Sequence, residues 1–336
     1  MKNSLRKSGE RKFSARDMVI PGILVFLIVF FTLTTDSFLT GYNIRNIFIQ
    51  ISYILILGVG VCFIMIGGGV DLSIGYQVAL TSVMSGVMMV NWGFSMYISI
   101  PLLMLMGILM GFLNGIIVVK LKVFPMIITL ATSYVFQGAA YWITNAAVIR
   151  GFENGFIWLG QGYVWEFPVC VLIAIVFLVV GTVVLRKTYF GQYVYALGGN
   201  ADAAHMAGVN INKFRIITYV IGGFCAACAG IVLSARSACS SANLGPGAEF
   251  TALTAGIIGG ISFQGGEGNI FGMVLGVILL QVLKNGMQLM GLGSYPQYIA
   301  QGCVLVFAVG FDYYQKTRKA RDAKLLVRQA KESNAI

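Results

Sequence analysis

Few residues in this chain of 336 could do chemistry, and they are scattered: one histidine (His205), six cysteines, and four ionisable side chains close to long apolar stretches, Asp71, Glu249, Glu267 and Lys284. A single histidine excludes any site that needs two and argues against a Ser-His-Asp arrangement. Cys225 and Cys228 form a C-x-x-C, but their neighbours Gly222, Gly223, Ala226, Ala227 and Gly230 are small and apolar, so the pair reads as one buried helix face. No phosphate loop G-x-x-x-x-G-K-[ST], no H-E-x-x-H and no G-x-S-x-G occurs. The sequence therefore leads us to expect no catalytic residue, no metal ligand and no cofactor site, and any ATP must be hydrolysed by another polypeptide.

The chemistry left is hydrogen bonding. A hydroxylated solute crossing a low-dielectric body needs partners, because an unsatisfied buried hydroxyl costs a few kcal/mol. Gln50, Ser73, Gln77, Asn114, Thr129, Thr132, Gln137 and Asn145 are the candidates for such a path, with Tyr53, Tyr134 and Tyr141 nearby in sequence. Each could equally serve an interhelical hydrogen bond, on average worth about 0.6 kcal/mol in a membrane.

The elements that must position these residues are apolar helices. Hydrophobic residues make up 58% of the chain and charged ones 10%, against roughly 25% charged in a soluble domain. Eighteen of the 35 charges sit in residues 1–17 and 312–336. Between them, uncharged apolar runs lie at 18–35, 46–70, 72–119, 123–149, 167–185, 216–235, 250–266, 268–283 and 285–311. A spanning helix needs about 20 residues, and the 72–119 run breaks at Asn91, Trp92 and Gly93 into two. The expectation is an all-α polytopic membrane protein of about ten transmembrane helices, eight being possible if 250–266 and 268–283 are partly re-entrant. A barrel is disfavoured because its strands would alternate.

With both termini cytoplasmic, the basic residues sort in the sense that topology requires, 19 inside against Arg45, Arg150 and Arg236 outside. This accounts for the +11 net charge without a nucleic-acid partner. The organisation is then a basic cytoplasmic N-tail (1–17), a single transmembrane domain (18–311) with a cytoplasmic loop at 186–213, and a basic cytoplasmic C-tail (312–336).

Glycine accounts for 42 residues. Gly107, Gly111 and Gly115, at steps of four, permit close helix packing. Two breaks stand apart: Gly67-Gly68-Gly69-Val70-Asp71-Leu72-Ser73-Ile74-Gly75, and Gln264-Gly265-Gly266-Glu267-Gly268-Asn269-Ile270-Phe271-Gly272. Each reads as helix, polar turn, helix, a form tolerated at membrane depth only where protein or a wet cavity satisfies the freed backbone. Asp71 and Ser73 are expected to cap the helix that follows, direct solute contact being the alternative. In the 186–213 loop, Asn200 or Asp202 can start a short helix with Ala203, Ala204 and Ala207 as a small smooth face beside His205, and Gly208 can stop it. Such a helix suits another protein's groove.

Three motifs give the chain a family resemblance. Gly69-Val70-Asp71-Leu72-Ser73-Ile74-Gly75 is similar to G-x-D-L-S-x-G. Tyr195 to Asn200, running into Asp202-Ala203-Ala204-x-x-x-Gly208, resembles the importers' E-A-A-x-x-x-G with Asp for Glu. Gly259-Gly260-Ile261-Ser262-Phe263 with Gly265-Gly266-x-Gly268 resembles G-G-x-S-x-x-G-G-x-G. From about residue 18 to 315 the chain resembles the membrane permease of ATP-binding-cassette importers for monosaccharides of the ribose/galactose/arabinose/xylose type. The resemblance implies a bacterial plasma membrane location, an extracytoplasmic sugar-binding protein, a second permease subunit (identical or paralogous), and a cytoplasmic ATPase docking on Asn200 to Gly208. Glu249-Phe250-Thr251-Ala252 departs from the family's Glu-Leu-Asp-Ala at Thr251. A secondary, ion-gradient-driven small-solute carrier is the alternative, although such carriers place several ionisable groups at mid-membrane. A membrane enzyme acting on lipid would need a polar constellation at one interface, and the sequence offers none.

Overall fold

The computed structural model describes residues 15–333, with the side chains of 15–19 and of most residues beyond 310 left out of the description. In chain order the helices are α1 (Ala15–Thr34), α2 (Gly41–Ile66), α3 (Ile74–Gly86) with a π-helical extension (Val87–Asn91), α4 (Met96–Leu121), α5 (Pro125–Thr144), α6 (Asn154–Gln161), α7 (Val169–Lys187), α8 (Tyr189–Gly199), α9 (Ala201–Met206), α10 (Ile211–Ser237), α11 (Ala248–Ile258), α12 (Ile270–Leu289) and α13 (Ser294–Ser333). Six of them, α2, α4, α5, α7, α10 and α12, are long and apolar enough to cross a membrane. The chain is thus a polytopic all-α protein, with strand confined among the described residues to two-residue pairs such as Ile149–Arg150 against Cys239–Ser240.

The apolar runs convert into helices where a polar residue can start them and a glycine or break can stop them. Thr40 accepts from Asn43 N to open α2, Asn210 from Lys213 N to open α10, and Asn269 from Gly272 N to open α12. Pro125 sits in the first turn of α5, where its missing N–H is no loss. The 72–119 run divides into α3 and α4 around Asn91 to Ser95, as expected. The 250–266 run yields only the 11-residue α11, too short to cross alone, because Gly259 and Gly260 end it early.

The core is built around α10 and α2. Gly107, Gly111 and Gly115 of α4 face Gly223, Tyr219 and Ile216 of α10, and a methyl on any of them would meet α10 backbone. Cys225 and Cys228 are both buried in α10 among small apolar neighbours. At the other edge, Asn43 and Asn285 exchange two amide hydrogen bonds of 2.9 Å and tie α2 to α12.

Candidate functional site

The first glycine break unwinds the chain between α2 and α3 and exposes backbone groups that nearby side chains must satisfy. Thr129 on α5 does so: its hydroxyl accepts from Leu72 N at 3.1 Å and lies 3.4 Å from Val70 O. Tyr219 of α10, fully buried, donates its hydroxyl to Val70 O at 3.2 Å. The turn is therefore clamped from two neighbouring helices.

Asp71 is at the centre of the turn and buried. Its Oδ1 accepts from Ser73 N at 2.8 Å and from the Ser73 hydroxyl at 2.6 Å, and its Oδ2 from the amides of Gln77 (3.3 Å) and Asn114 (3.4 Å). The same two amides also donate to Ser73 Oγ, at 2.9 and 2.7 Å. The expected capping roles are thereby rearranged. Ser73 does occupy the N-cap position of α3, but its hydroxyl makes no cap bond, because the adjacent carboxylate is a stronger acceptor for its proton. Asp71 closes a local turn through Ser73 N. Three sequence candidates, Ser73, Gln77 and Asn114, engage one another around Asp71, a fourth, Thr129, holds the adjoining backbone, and Gln77 Oε1 and Asn114 Oδ1 remain without a partner among the described residues.

The remaining candidates lie elsewhere. Thr132 turns its hydroxyl back to Thr129 O, Gln137 is half-buried on α5, and Asn145 is an exposed left-handed residue ending that helix (φ 48°). Gln50 accepts from the Gln281 side chain at 2.6 Å and lines a cavity of about 140 Å³ between α2, α11, α12 and α13. Thr251, the position at which the resembled motif carries Asp, lines the same cavity and accepts from Gln301. Sequence reading did not single out Gln281. The signal was present, since Gln281, Lys284 and Asn285 fall at i, i+3 and i+4 on one stripe of α12.

The two glycine breaks meet. Gly266 N donates to Ile66 O at 2.8 Å, and a Cβ on Gly265 would come 2.6 Å from Gly68 Cα. Gly198 and Gly199, the last residues of α8, pack onto the same spot: a Cβ on Gly266 would lie 2.6 Å from Gly199 Cα. With no side chains between them, three backbone segments touch directly. Gly68, Gly265 and Gly266 all have positive φ (76°, 90° and 75°), so a side chain at any of them would be strained as well as crowded. Gly268, at φ 133°, closes against Ile261, and its carbonyl accepts from the Tyr195 hydroxyl of α8. Gly69 lies against the Tyr219 hydroxyl, and a methyl at Gly75 would overlap the Glu249 carboxylate.

One residue beyond Gly199 the chain starts α9. Asn200 is the cap, its Oδ1 accepting from Ala203 N at 2.9 Å, and Asp202 occupies the first turn. Gly208, at φ 84°, ends the segment in the left-handed region. Ala204 is buried under α9, whereas Asp202, Ala203 and His205 are exposed. Asp202, His205, Gly208 and Arg215 line an open groove of about 1020 Å³, whose opposite wall is the α4–α5 turn at Lys122 to Pro125.

The chain belongs to the family described as branched-chain amino acid transport system / permease component, which matches residues 43–309. Among its relatives, it is 34% identical over 300 residues to the ribose import permease protein of Haemophilus influenzae, covering 88% of this chain and 93% of that protein. It is 29% identical over 357 residues to the xylose transport system permease protein of the same organism (88% and 95%), and 31% identical over 315 residues to the galactose/methyl galactoside import permease protein of Escherichia coli K12 (88% and 94%). No solved structure matches the chain.

Proposed function

We propose that the chain is the transmembrane permease subunit of an ATP-driven importer and forms the path for a monosaccharide delivered by an extracytoplasmic binding protein. The observation that carries this reading is the junction of α8 and α9 with both glycine breaks. A body seated in the groove beside Asp202 and His205 would press on a helix whose stem touches Gly68, Gly265 and Gly266 through backbone alone. The monosaccharide class rests on the relatives, whose names refer to ribose, xylose and galactose.

In this reading α9 is the coupling helix, and Asn200, Asp202, Ala203, Ala204, His205 and Gly208 meet a cytoplasmic ATPase of the cassette type. A second permease subunit, identical or paralogous, completes the path. The groove end of the bundle faces the cytoplasm of a bacterium, because Lys120, Lys122, Arg186, Lys187, Lys213 and Arg215 cluster at the helix ends there. With α1, α3 and α13 added to the six long helices, and α11 counted together with the segment 238–247 that leads into it, the connections would alternate through ten crossings and leave both tails on the cytoplasmic side.

The experiment is reconstitution in liposomes. Purified chain alone should move no sugar against a gradient, whereas chain with its ATPase and binding protein should accumulate it on ATP addition. Uptake by the chain alone, driven by an imposed proton or sodium gradient, would establish the secondary-carrier alternative instead.

A further inference from the structure

The cavity between α2, α11, α12 and α13 contains more positive charge than anything around it answers. Arg236, at the end of α10, and Lys284, on α12, both line it, and no acidic side chain among the described residues does. Arg236 is held by neutral groups: Nη1 donates to Ile49 O (3.3 Å) and Gln50 O (3.2 Å), and the guanidinium lies 5.4 Å from the centre of the Tyr53 ring. These contacts orient the side chain and leave Nε and Nη2 without a partner among the described residues. Lys284 has no hydrogen bond and no ion pair among them. The acid closest in the fold, Glu249, turns away, with Oε2 accepting from Gly247 N at 2.9 Å and pressed against Gly75.

Arg236 is half-buried in the last turn of α10 and Lys284 is exposed, so both can be reached from the cavity, and two like charges lining one space with no acid among its lining residues are relieved by an anion between them. The polar groups around this pair are of the matching kind. The Gln50 and Gln281 side chains share one hydrogen bond of 2.6 Å, which leaves the Gln50 amide N–H groups as donors beside Arg236 and Lys284. A planar guanidinium, an ammonium and amide donors converging on one space form a recognition set for oxygen anions. At about 140 Å³ the space is about ten times the minimum that holds one water.

We propose that this cavity binds an oxyanion, a carboxylate or phosphate group, borne either by a small acidic solute such as an aldonate or by the headgroup of an anionic lipid. The solute arm rests on the permease reading, since it makes the acidic solute a regulator of the monosaccharide's passage. The lipid arm does not rest on it.

The test is equilibrium binding to the purified full chain in phosphatidylcholine nanodiscs, which fails or succeeds independently of ATP-driven uptake. For the solute arm, ribonate and inorganic phosphate are the probes and ribose the neutral control. For the lipid arm, native mass spectrometry compares retention of phosphatidylglycerol with phosphatidylcholine. Lys284→Gln should weaken binding of whichever probe occupies the site by about tenfold or more, as loss of one charge-assisted contact requires, and Lys284→Arg should retain it. Binding should also fall as ionic strength rises, a readout on the unmodified chain that stands even if the glutamine variant folds poorly. The proposal is overturned if neither ribonate, phosphate nor phosphatidylglycerol binds, if ribose competes as well as ribonate, or if binding is insensitive both to salt and to Lys284→Gln.

Discussion

Gly198→Ala separates the glycine junction from ordinary helix behaviour by the sign of its effect. Gly198 is the penultimate residue of α8, with an ordinary negative φ, and replacing a helical glycine by alanine normally stabilises by about 0.5–1 kcal/mol. Here the added carbon would fall 3.0 Å from Ile66 C, and closer still to Ile66 O and Gly266 N, the two atoms whose hydrogen bond joins the glycine breaks. All three are backbone atoms and cannot swing aside as a side chain end would. Overpacking of this kind costs about 1–3 kcal/mol, and separating Ile66 O from Gly266 N leaves two buried polar groups unpaired at about 1–3 kcal/mol. The net expectation is a destabilisation of about 2–5 kcal/mol where propensity alone would give a gain. Gly199, the next residue, has open space where its Cβ would stand, so Gly199→Ala is the internal control. Monodispersity after heating in detergent reads stability, and ATP-driven uptake in liposomes reads coupling. Gly198→Ala should lose both and Gly199→Ala should keep both; if the two variants behave alike, the three backbone segments do not touch as described.

The other two predictions concern the ends of the same linkage. Asp71→Ala removes the acceptor shared by Ser73, Gln77 and Asn114 and should cost about 3–5 kcal/mol, seen as lower folding yield with unchanged solute preference in what remains; altered preference at normal yield would assign Asp71 to the solute instead. Gly208→Asp puts a side chain into a backbone at φ 84° and a charge beside the groove of α9, and should abolish uptake and ATPase co-purification while the chain still inserts in the membrane; retained co-purification would remove α9 from the docking surface.

Much of this was legible because it is local. The end of α2 and the start of α9 follow from Gly68, with φ at 76°, and Asn200, residues whose backbone freedom or capping oxygen acts within three positions. The small stripe of Gly107, Gly111 and Gly115 announced a close helix partner without naming it, since any of several helices could have filled that role. What the sequence could not show is long-range register. Asn114 joins Asp71 from 43 residues away and Tyr219 reaches Val70 across 149. The expectation that Ser73 caps α3 went astray for the same reason: local spacing favours the cap, and only the arrival of Gln77 and Asn114 beside Asp71 makes the alternative network better. Gln50 was expected among path residues on its own polarity, and its partners Gln281 and Arg236 become visible only once α2, α10 and α12 are assembled.

The way force would travel through this body follows from what lies between its parts. A side chain between two helices can change rotamer and absorb a displacement, whereas two glycine backbones in contact have no such slack. The path from α9 to Asp71 is of the second kind for its first steps: Gly199 and Gly198 bear on Gly266 and Gly68, and the Ile66–Gly266 hydrogen bond joins the break after α2 to the break before α12. From Gly68 the chain runs three residues to Asp71, whose carboxylate grips α3 through Gln77 and α4 through Asn114, while Thr129 grips the same turn from α5. In the importer reading, a shift of α9 by an ångström or two would be passed through these backbone contacts toward the starts of α3 and α12. It must either tilt those helices or break the Asp71 network. The network contains six hydrogen bonds over four side chains, so tilting is the cheaper outcome by several of the roughly 1 kcal/mol increments that each bond contributes. In the importer reading the polar cluster ties α3 and α4 to the turn that α9 would move, while Gln77 Oε1 and Asn114 Oδ1, without a partner among the described residues, leave it able to meet a solute.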